Sequence, residues 1–133
     1  MVKRTKNGED KMKYGKITGS WSLELGRFSP LHLGHISLAR KILNEGGKVC
    51  FGIRDTKKDK NNPFTIKQRI EMIQKEFIKE ISENKVCYVV LPDIKEIIYG
   101  RKVGWKVRQI KLDKKTESIS ATKIRKQLKN KSK

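Results

Sequence analysis

The stretch SWSLELGRFSPLHLGH, residues 20–35, joins a strand to a helix and determines the expected fold. Ser20 to Leu25 is short and rich in apolar residues, as strands are. Residues 35–45 repeat apolar side chains on one helical face and stop at Gly46-Gly47, a typical helix end. Lys48 to Ile53 follows as a second strand, and its nearly continuous apolar run is typical of a strand covered on both faces.

The same alternation of strand and helix continues along the chain. Residues 65–83 carry a helical apolar stripe that opens with a capping box, Thr65-Ile66-Lys67-Gln68. We expect a third strand at 86–91, a fourth from the alternating pattern at 105–112, and a last short helix from Ser120. Such strand–helix–strand units predict one compact α/β domain, a Rossmann-like, three-layer parallel sheet with helices on both faces.

Length and composition limit the class of protein. The 133 residues suit a single domain, which we expect at 17–130, between a basic, flexible tail at 1–16 and a short tail at 131–133. No apolar run approaches the roughly 20 residues that span a bilayer, and the charged N-terminus has no secretory pattern. We therefore expect a soluble, cytoplasmic protein.

The formal net charge of +19 favours an anionic partner, either nucleic acid, a membrane surface or polyphosphate. The lysines equally fit solvated helix faces, so charge alone does not choose among these. Cys50 and Cys87 lie in apolar, β-branched runs, which predicts small core residues in place of a disulfide or metal site.

The loop from Gly26 to His35 carries the first chemical signal. It follows a strand and opens a helix, where free N–H groups and the helix dipole favour phosphate. The only two histidines of the chain, His32 and His35, lie three apart there and can donate to a phosphoryl group as its charge builds. Gly26 and Gly34 leave room for a nucleotide, and no third histidine or nearby cysteine completes a metal site.

Residues 119–125 form a second candidate anion site. Ser120 or Thr122 can cap a helix, and Arg125, about one turn further on, can fork onto a terminal phosphate. Taken alone, this segment fits an ordinary capped surface helix equally well.

Together the two segments resemble the signatures of the His-x-Gly-His nucleotidyltransferase superfamily. Gly-Arg-Phe-Ser-Pro-Leu-His-Leu-Gly-His matches the first signature, and Ile-Ser-Ala-Thr-Lys-Ile-Arg matches the second. The resemblance runs from about Ser20 to Lys129. Asn62-Pro63-Phe64-Thr65, Arg69 and Leu91-Pro92-Asp93-Ile94 are similar to the archaeal and phage nicotinamide mononucleotide adenylyltransferases, so that branch is the nearest.

The resemblance implies transfer of a nucleoside monophosphate, AMP from ATP, to a small phosphomonoester such as nicotinamide mononucleotide. Pyrophosphate leaves by direct displacement, with Mg²⁺ bridging the phosphates and no protein residue as metal ligand. His35 is assigned to the α-phosphate, His32 to the phosphate chain and Arg125 to the terminal phosphates. The remaining nucleotide-binding candidates are Gly26, Arg27, Phe28, Ser29, Gly34, Ser120 and Thr122.

The acceptor side is less well marked. Only residues 95–104 lie between the third and fourth predicted strands, whereas the resembling branch has a longer region there. Weaker acceptor candidates are Arg54, Lys57, Arg101 and Trp105.

Two other functions remain open at this point. One is a cytidylyltransferase for a polyol or sugar phosphate. The other is a basic nucleic-acid-binding protein with a vestigial nucleotide pocket. The intact signatures favour small-molecule substrates over nucleic acid and membrane, and the oligomeric state is open, a homo-oligomer included.

Overall fold

A computed structural model describes residues 19–101, 104–112 and 114–117. Three parallel strands form one sheet in the order β1-β2-β3: β1 (Ser22–Gly26), β2 (Val49–Asp55) and β3 (Val86–Pro92). The helices are α1 (Leu33–Asn44), α2 (Ile66–Glu76), α3 (Ile78–Ser82) and the short α4 (Lys114–Glu117). The alternation predicted from the sequence, and with it the Rossmann-like α/β class, is confirmed.

The core lies on one face of this sheet. Val49, Phe51 and Ile53 of β2 alternate inward and pack with side chains from α1, α2 and β3. Both crossovers advance in the same direction, and right-handed crossovers of that kind place α1 and α2 on the same face. The opposite face carries Leu23 and Leu25, which are 53% and 38% exposed. A helical layer over that second face stays a prediction, because no described helix supplies it.

The long helix predicted at 65–83 is interrupted at Phe77. The capping box at its start is confirmed, since the Thr65 N–H donates to Gln68 Oε1 at 2.8 Å and Gln68 N–H donates to Thr65 Oγ1 at 3.1 Å. At Phe77 the backbone leaves helical geometry (φ −116°, ψ 30°) and α3 begins one residue later. The Phe77 ring is fully buried, with the Arg40 guanidinium 4.6 Å from its centroid. The buried Phe77 ring also contacts the Phe51 ring of β2, with centroids 5.2 Å apart, so the interruption falls at a residue anchored in the core.

The predicted fourth strand at 105–112 is wrong. The described residues 104–112 have no strand pairing, and β1 gains no strand partner on its outer side within the described part of the chain. Trp105 is 75% exposed and Val107 fully exposed, so the alternating residues do not share a buried face. Only Ile110 packs against the core, while Arg108 forms an ion pair with Glu45 at 2.9 Å, at the end of α1. Alternation without a neighbouring edge was insufficient to make a strand.

In the described ranges, no helix is long and apolar enough to cross a membrane. The predicted tails, the last helix and the Ile119–Arg125 segment lie outside the described residues. The predictions made for them are therefore untested.

Candidate active site

The two histidines cap the helix that follows β1. His32 occupies the N-cap position of α1, and its Nδ1 accepts from the Gly34 N–H at 3.1 Å. The His32 N–H in turn donates to His35 Nδ1 at 3.2 Å, which makes a reciprocal capping box out of two imidazoles. Two of the unpaired N–H groups at the helix start are thereby satisfied.

This capping arrangement fixes the tautomer of each imidazole. Because both Nδ1 atoms accept hydrogen bonds, a neutral ring carries its proton on Nε2 and can act as a donor there. The rings of His32 and His35 stack with centroids 3.8 Å apart and planes inclined by 25°. Burial, with the neighbouring His32 as a second cause, lowers the pKa of His35 to about 3. Both histidines are partly exposed.

The Phe28 ring packs against the His35 ring. Its ring is 1% exposed and meets the His35 ring edge-on at 4.8 Å and the Phe51 ring at 5.3 Å. The Phe28 backbone has a positive φ of 54°, an arrangement that the buried ring stabilises. Phe28 therefore positions a histidine by packing, a more specific role than the predicted nucleotide contact.

Gly26, two residues before Phe28, and Gly34, two residues after His32, each leave room for the ring of that neighbour. A Cβ at Gly26 would lie 2.9 Å from the Phe28 ring, and one at Gly34 would lie 2.8 Å from the His32 ring. Both glycines were predicted to leave room for a nucleotide. In the structure a protein ring lies beside each of them, and their contact with a nucleotide stays a prediction.

A second loop is tied to this one by Ser29 and Arg69. Ser29 is 2% exposed, and its hydroxyl accepts from the Phe64 N–H at 3.3 Å, so it links two loops within the protein. Arg69, also 2% exposed, donates through Nη1 to the carbonyls of Arg27 at 3.1 Å and Arg54 at 2.9 Å. Arg69 thus joins the carboxyl ends of β1 and β2.

Asn62 closes the loop after β2. It is fully buried, and its Nδ2 donates to the Thr56 carbonyl and hydroxyl at 2.8 Å and to the Lys57 carbonyl at 3.0 Å. Asn62 and Arg69 stand out in the sequence only as parts of the segment that resembles the family, and no role was predicted for either residue. A signal was present, because an arginine that falls in an apolar helical stripe is a candidate for burial.

The four acceptor candidates are not brought together as one site. Arg54 is at the carboxyl end of β2, but its guanidinium is paired with Asp93, 2.6 Å from Nη2 to Oδ1. Lys57 is an exposed residue of the loop that Asn62 closes. Arg101 and Trp105 belong to the irregular, exposed segment after β3. Asp93, which the sequence marked only as part of the stretch Leu91-Pro92-Asp93-Ile94, limits how Arg54 can present its charge.

Among the described residues, no group of three or more histidine, cysteine or acidic side chains could hold a metal ion. Arg125, Ser120 and Thr122 lie outside those residues. The described part of the site is therefore the histidine pair, the Phe28 support and the Arg69 bracket, at the carboxyl edge of a parallel sheet where such folds bind ligands.

Comparison with known proteins agrees with this geometry. A family model described as cytidylyltransferase-like matches residues 24–88. The nicotinamide-nucleotide adenylyltransferase of Methanococcus aeolicus is 34% identical over 138 aligned positions, covering 82% of this chain and 77% of that enzyme. The chain belongs to the cytidylyltransferase-like nucleotidyltransferases.

Two further relatives of this nucleotidyltransferase match over shorter stretches, and both are named nicotinamide-nucleotide adenylyltransferase. The one from Methanolobus tindarius is 42% identical over 52 residues, 38% of this chain and 30% of the relative. The one from Archaeoglobus fulgidus is 33% identical over 76 residues, 53% and 44% respectively. These two matches span less than half of each relative.

The Methanococcus aeolicus alignment contains more positions, 138, than this nucleotidyltransferase has residues, 133. That enzyme therefore carries residues without a counterpart here. A region shorter than that of the resembling branch was expected from the sequence between the third and fourth predicted strands.

Proposed function

We propose that this nucleotidyltransferase transfers the adenylyl group of ATP to nicotinamide mononucleotide and releases pyrophosphate. The observation that carries the proposal is the stacked histidine pair at the start of α1, in which Nδ1 of each ring accepts a backbone N–H, so that a neutral ring carries its proton on Nε2. The names of the relatives support adenylyl transfer over cytidylyl transfer.

Adenylyl transfer requires that the two substrates be positioned in line and that the negative charge building on the phosphate be stabilised. A phosphate oxygen of the acceptor attacks the α-phosphorus, the bond from that phosphorus to the bridging oxygen of the β-phosphate breaks, and pyrophosphate departs with the electron pair. The acceptor monoester is already ionised near neutral pH, so no general base is needed. His35 donates to the α-phosphate oxygens, where negative charge builds, and His32 donates to the phosphate chain.

A neutral His35 suits this role. Burial lowers the pKa of His35 to about 3, so before the triphosphate binds the ring is neutral and presents its Nε2–H as a donor. Charge compensation then falls to other groups. We assign Arg125 and the Ser120/Thr122 turn to the β- and γ-phosphates.

We assign Mg²⁺ to the triphosphate itself, because phosphate oxygens are the hard ligands that this ion prefers. When bound there, Mg²⁺ supplies charge neutralisation between the phosphate groups. The protein contributes the donors and the positioning.

The segment after β3 returns to α1: Arg108 meets Glu45, at the opposite end of this helix from the histidines, and α4 contacts α1. Placement of Arg125 in the same site is part of the proposal.

The test is a product analysis with the full chain. ATP or CTP is incubated with nicotinamide mononucleotide, its acid analogue and a panel of polyol and sugar phosphates, and products are identified by mass. We expect a dinucleotide from ATP and nicotinamide mononucleotide, with an equal amount of pyrophosphate. Turnover confined to CTP and a polyol phosphate would replace the proposal by the cytidylyl alternative. Turnover with neither, by protein that binds RNA in a salt-dependent manner, would favour a vestigial pocket.

A further inference from the structure

The two cysteines of the chain meet on the face of the sheet opposite the helices. Cys50 of β2 and Cys87 of β3 are register partners in adjacent parallel strands, and neither is in a disulfide. Directly paired residues point to the same face, and neighbouring strands lie about 4.8 Å apart. That spacing falls within the roughly 4.4–6.8 Å between Cα atoms that a disulfide requires. The thiols are close enough to form a hydrogen bond with each other.

The two thiols differ in accessibility and acidity. Cys87 is 1% exposed, whereas Cys50 is only partly buried beside its other register partner, Leu23. The hydrogen bond from the Cys87 thiol lowers the pKa of Cys50 despite partial burial. The same hydrogen bond, together with burial, raises the pKa of Cys87. Cys50 is therefore the thiol from which a nucleophilic thiolate forms more readily.

We propose that Cys50 and Cys87 form a reversible dithiol site that reacts with low-molecular-weight disulfides, with Cys50 as the attacking thiol and Cys87 as the resolving thiol. The Cys50 thiolate attacks one sulfur of the small disulfide, forming a mixed disulfide and expelling one small thiolate. Cys87 then loses its proton and attacks Cys50 Sγ, expelling the second small thiolate. The protein loses two protons and two electrons, and the small disulfide takes them up to become two thiols.

Backbone pairing between β2 and β3 holds the two Cα atoms at a spacing that a disulfide can bridge, and small thiols reopen such a bond by the reverse exchange. Cys50 lies four residues before Arg54 on β2, and Arg54 forms an ion pair with Asp93, just after β3. Oxidation would therefore link the two strands that lead into the active-site edge. This site stands apart from the proposed nucleotidyl transfer and does not depend on it.

The experiment uses the full-length, reduced protein and oxidised glutathione as the probe. Intact mass should show the wild type losing two hydrogens, Cys87→Ser gaining one glutathionyl group, and Cys50→Ser reacting at least tenfold more slowly. Peptide mapping of oxidised wild type under non-reducing conditions should find Cys50 linked to Cys87 within one chain. Dithiothreitol should restore the starting mass.

Three results would overturn the proposal. One is a wild type in which glutathionyl adducts accumulate in place of the internal bond. Another is Cys50→Ser reacting as fast as Cys87→Ser. The third is a wild type with both thiols unchanged under conditions that fully oxidise a control peptide carrying two nearby cysteines. If circular dichroism shows that either variant is unfolded, the peptide map of the wild type decides alone.

Discussion

Two segments leave the carboxyl edge of the sheet, and they are built in opposite ways. In the loop from Gly26 to His35, after β1, both imidazoles accept backbone hydrogen bonds at the helix start. The Phe28 ring in the same loop is buried between His35 and Phe51. The segment 93–112, after β3, has no helix or strand in its described residues and exposes Trp105 and Val107. Both were assigned ligand contacts from the sequence.

The contrast shows what makes a segment of this chain rigid. The first loop is bracketed from outside, by Arg69 from α2 and by Phe64 through Ser29. The second is held at its ends, by Arg54–Asp93 and Arg108–Glu45, and both are exposed ion pairs. Exposed pairs contribute little to stability, whereas buried, bonded groups contribute much more. The loop proposed to bind the triphosphate is therefore pre-formed, whereas the segment after β3, proposed for the acceptor, depends on weaker contacts.

The largest effect is expected from removing the Arg69 bracket. Arg69→Met leaves the carbonyls of Arg27 and Arg54 without their donor, and we expect a loss of about 3–5 kcal/mol in the free energy of unfolding. Arg69→Lys keeps the charge but not the forked geometry, so its free energy of unfolding should lie between those of the wild type and Arg69→Met. Urea unfolding measures this. A methionine variant as stable as the wild type would mean that the loop needs no bracket.

The next effect concerns catalysis. His35→Ala should lower pyrophosphate release by about 10²–10³-fold while the fold is retained, because a donor to the α-phosphate is lost. His35→Gln is the matched variant, since glutamine at the same helix position closes a capping box at Thr65 in this chain. Rapid pyrophosphate assays with saturating ATP, alongside circular dichroism, check both. Near-wild-type turnover by the glutamine variant would remove the imidazole from the mechanism.

A third prediction concerns Glu24, two residues before Gly26 in β1. Burial raises its pKa from 4.5 to about 8, and its Oε2 is buried without a hydrogen-bond partner in the described structure. In the unfolded chain this carboxyl ionises above about pH 4.5, whereas in the folded chain it stays protonated to about pH 8. Its contribution to stability therefore becomes more unfavourable as pH rises between these values.

Glu24→Gln should remove that penalty. We expect it to stabilise the protein by about 2–4 kcal/mol at pH 8 and by much less at pH 5, as measured by urea unfolding at both pH values. Glu71→Gln, on the exposed side of α2, is the control and should show no such dependence. An equal gain at both pH values would mean that packing, not ionisation, accounts for the change.

The smallest effects are expected in the segment after β3. Trp105→Ala and Val107→Ala should each change the free energy of unfolding by less than about 0.5 kcal/mol, because both side chains are exposed. The steady-state KM for each substrate should be measured beside stability. A rise in the acceptor KM with Trp105→Ala alone would show that this segment contributes to acceptor binding. A loss of stability would show that the segment is packed in solution.

Sequence patterns identified the three strands and the first helix because those residues bury one apolar face each. The pattern at 105–112 was misleading because a strand also needs a neighbouring edge, which local alternation does not report. The histidine pair was found, but not its capping role, since capping depends on backbone geometry at Gly34. Arg69 was quoted without a role because its partners are main-chain carbonyls, which no pattern of side chains reveals.

The use of His32 as a helix cap restricts what evolution can place at this position. A substitution to alanine would cost the helix its first-turn acceptor as well as the ring, so loss of activity and loss of folding would coincide. Asparagine or aspartate could still cap, and a chain carrying either would keep its shape while losing the imidazole. Non-catalytic descendants of this chain should therefore be recognisable by such residues at position 32.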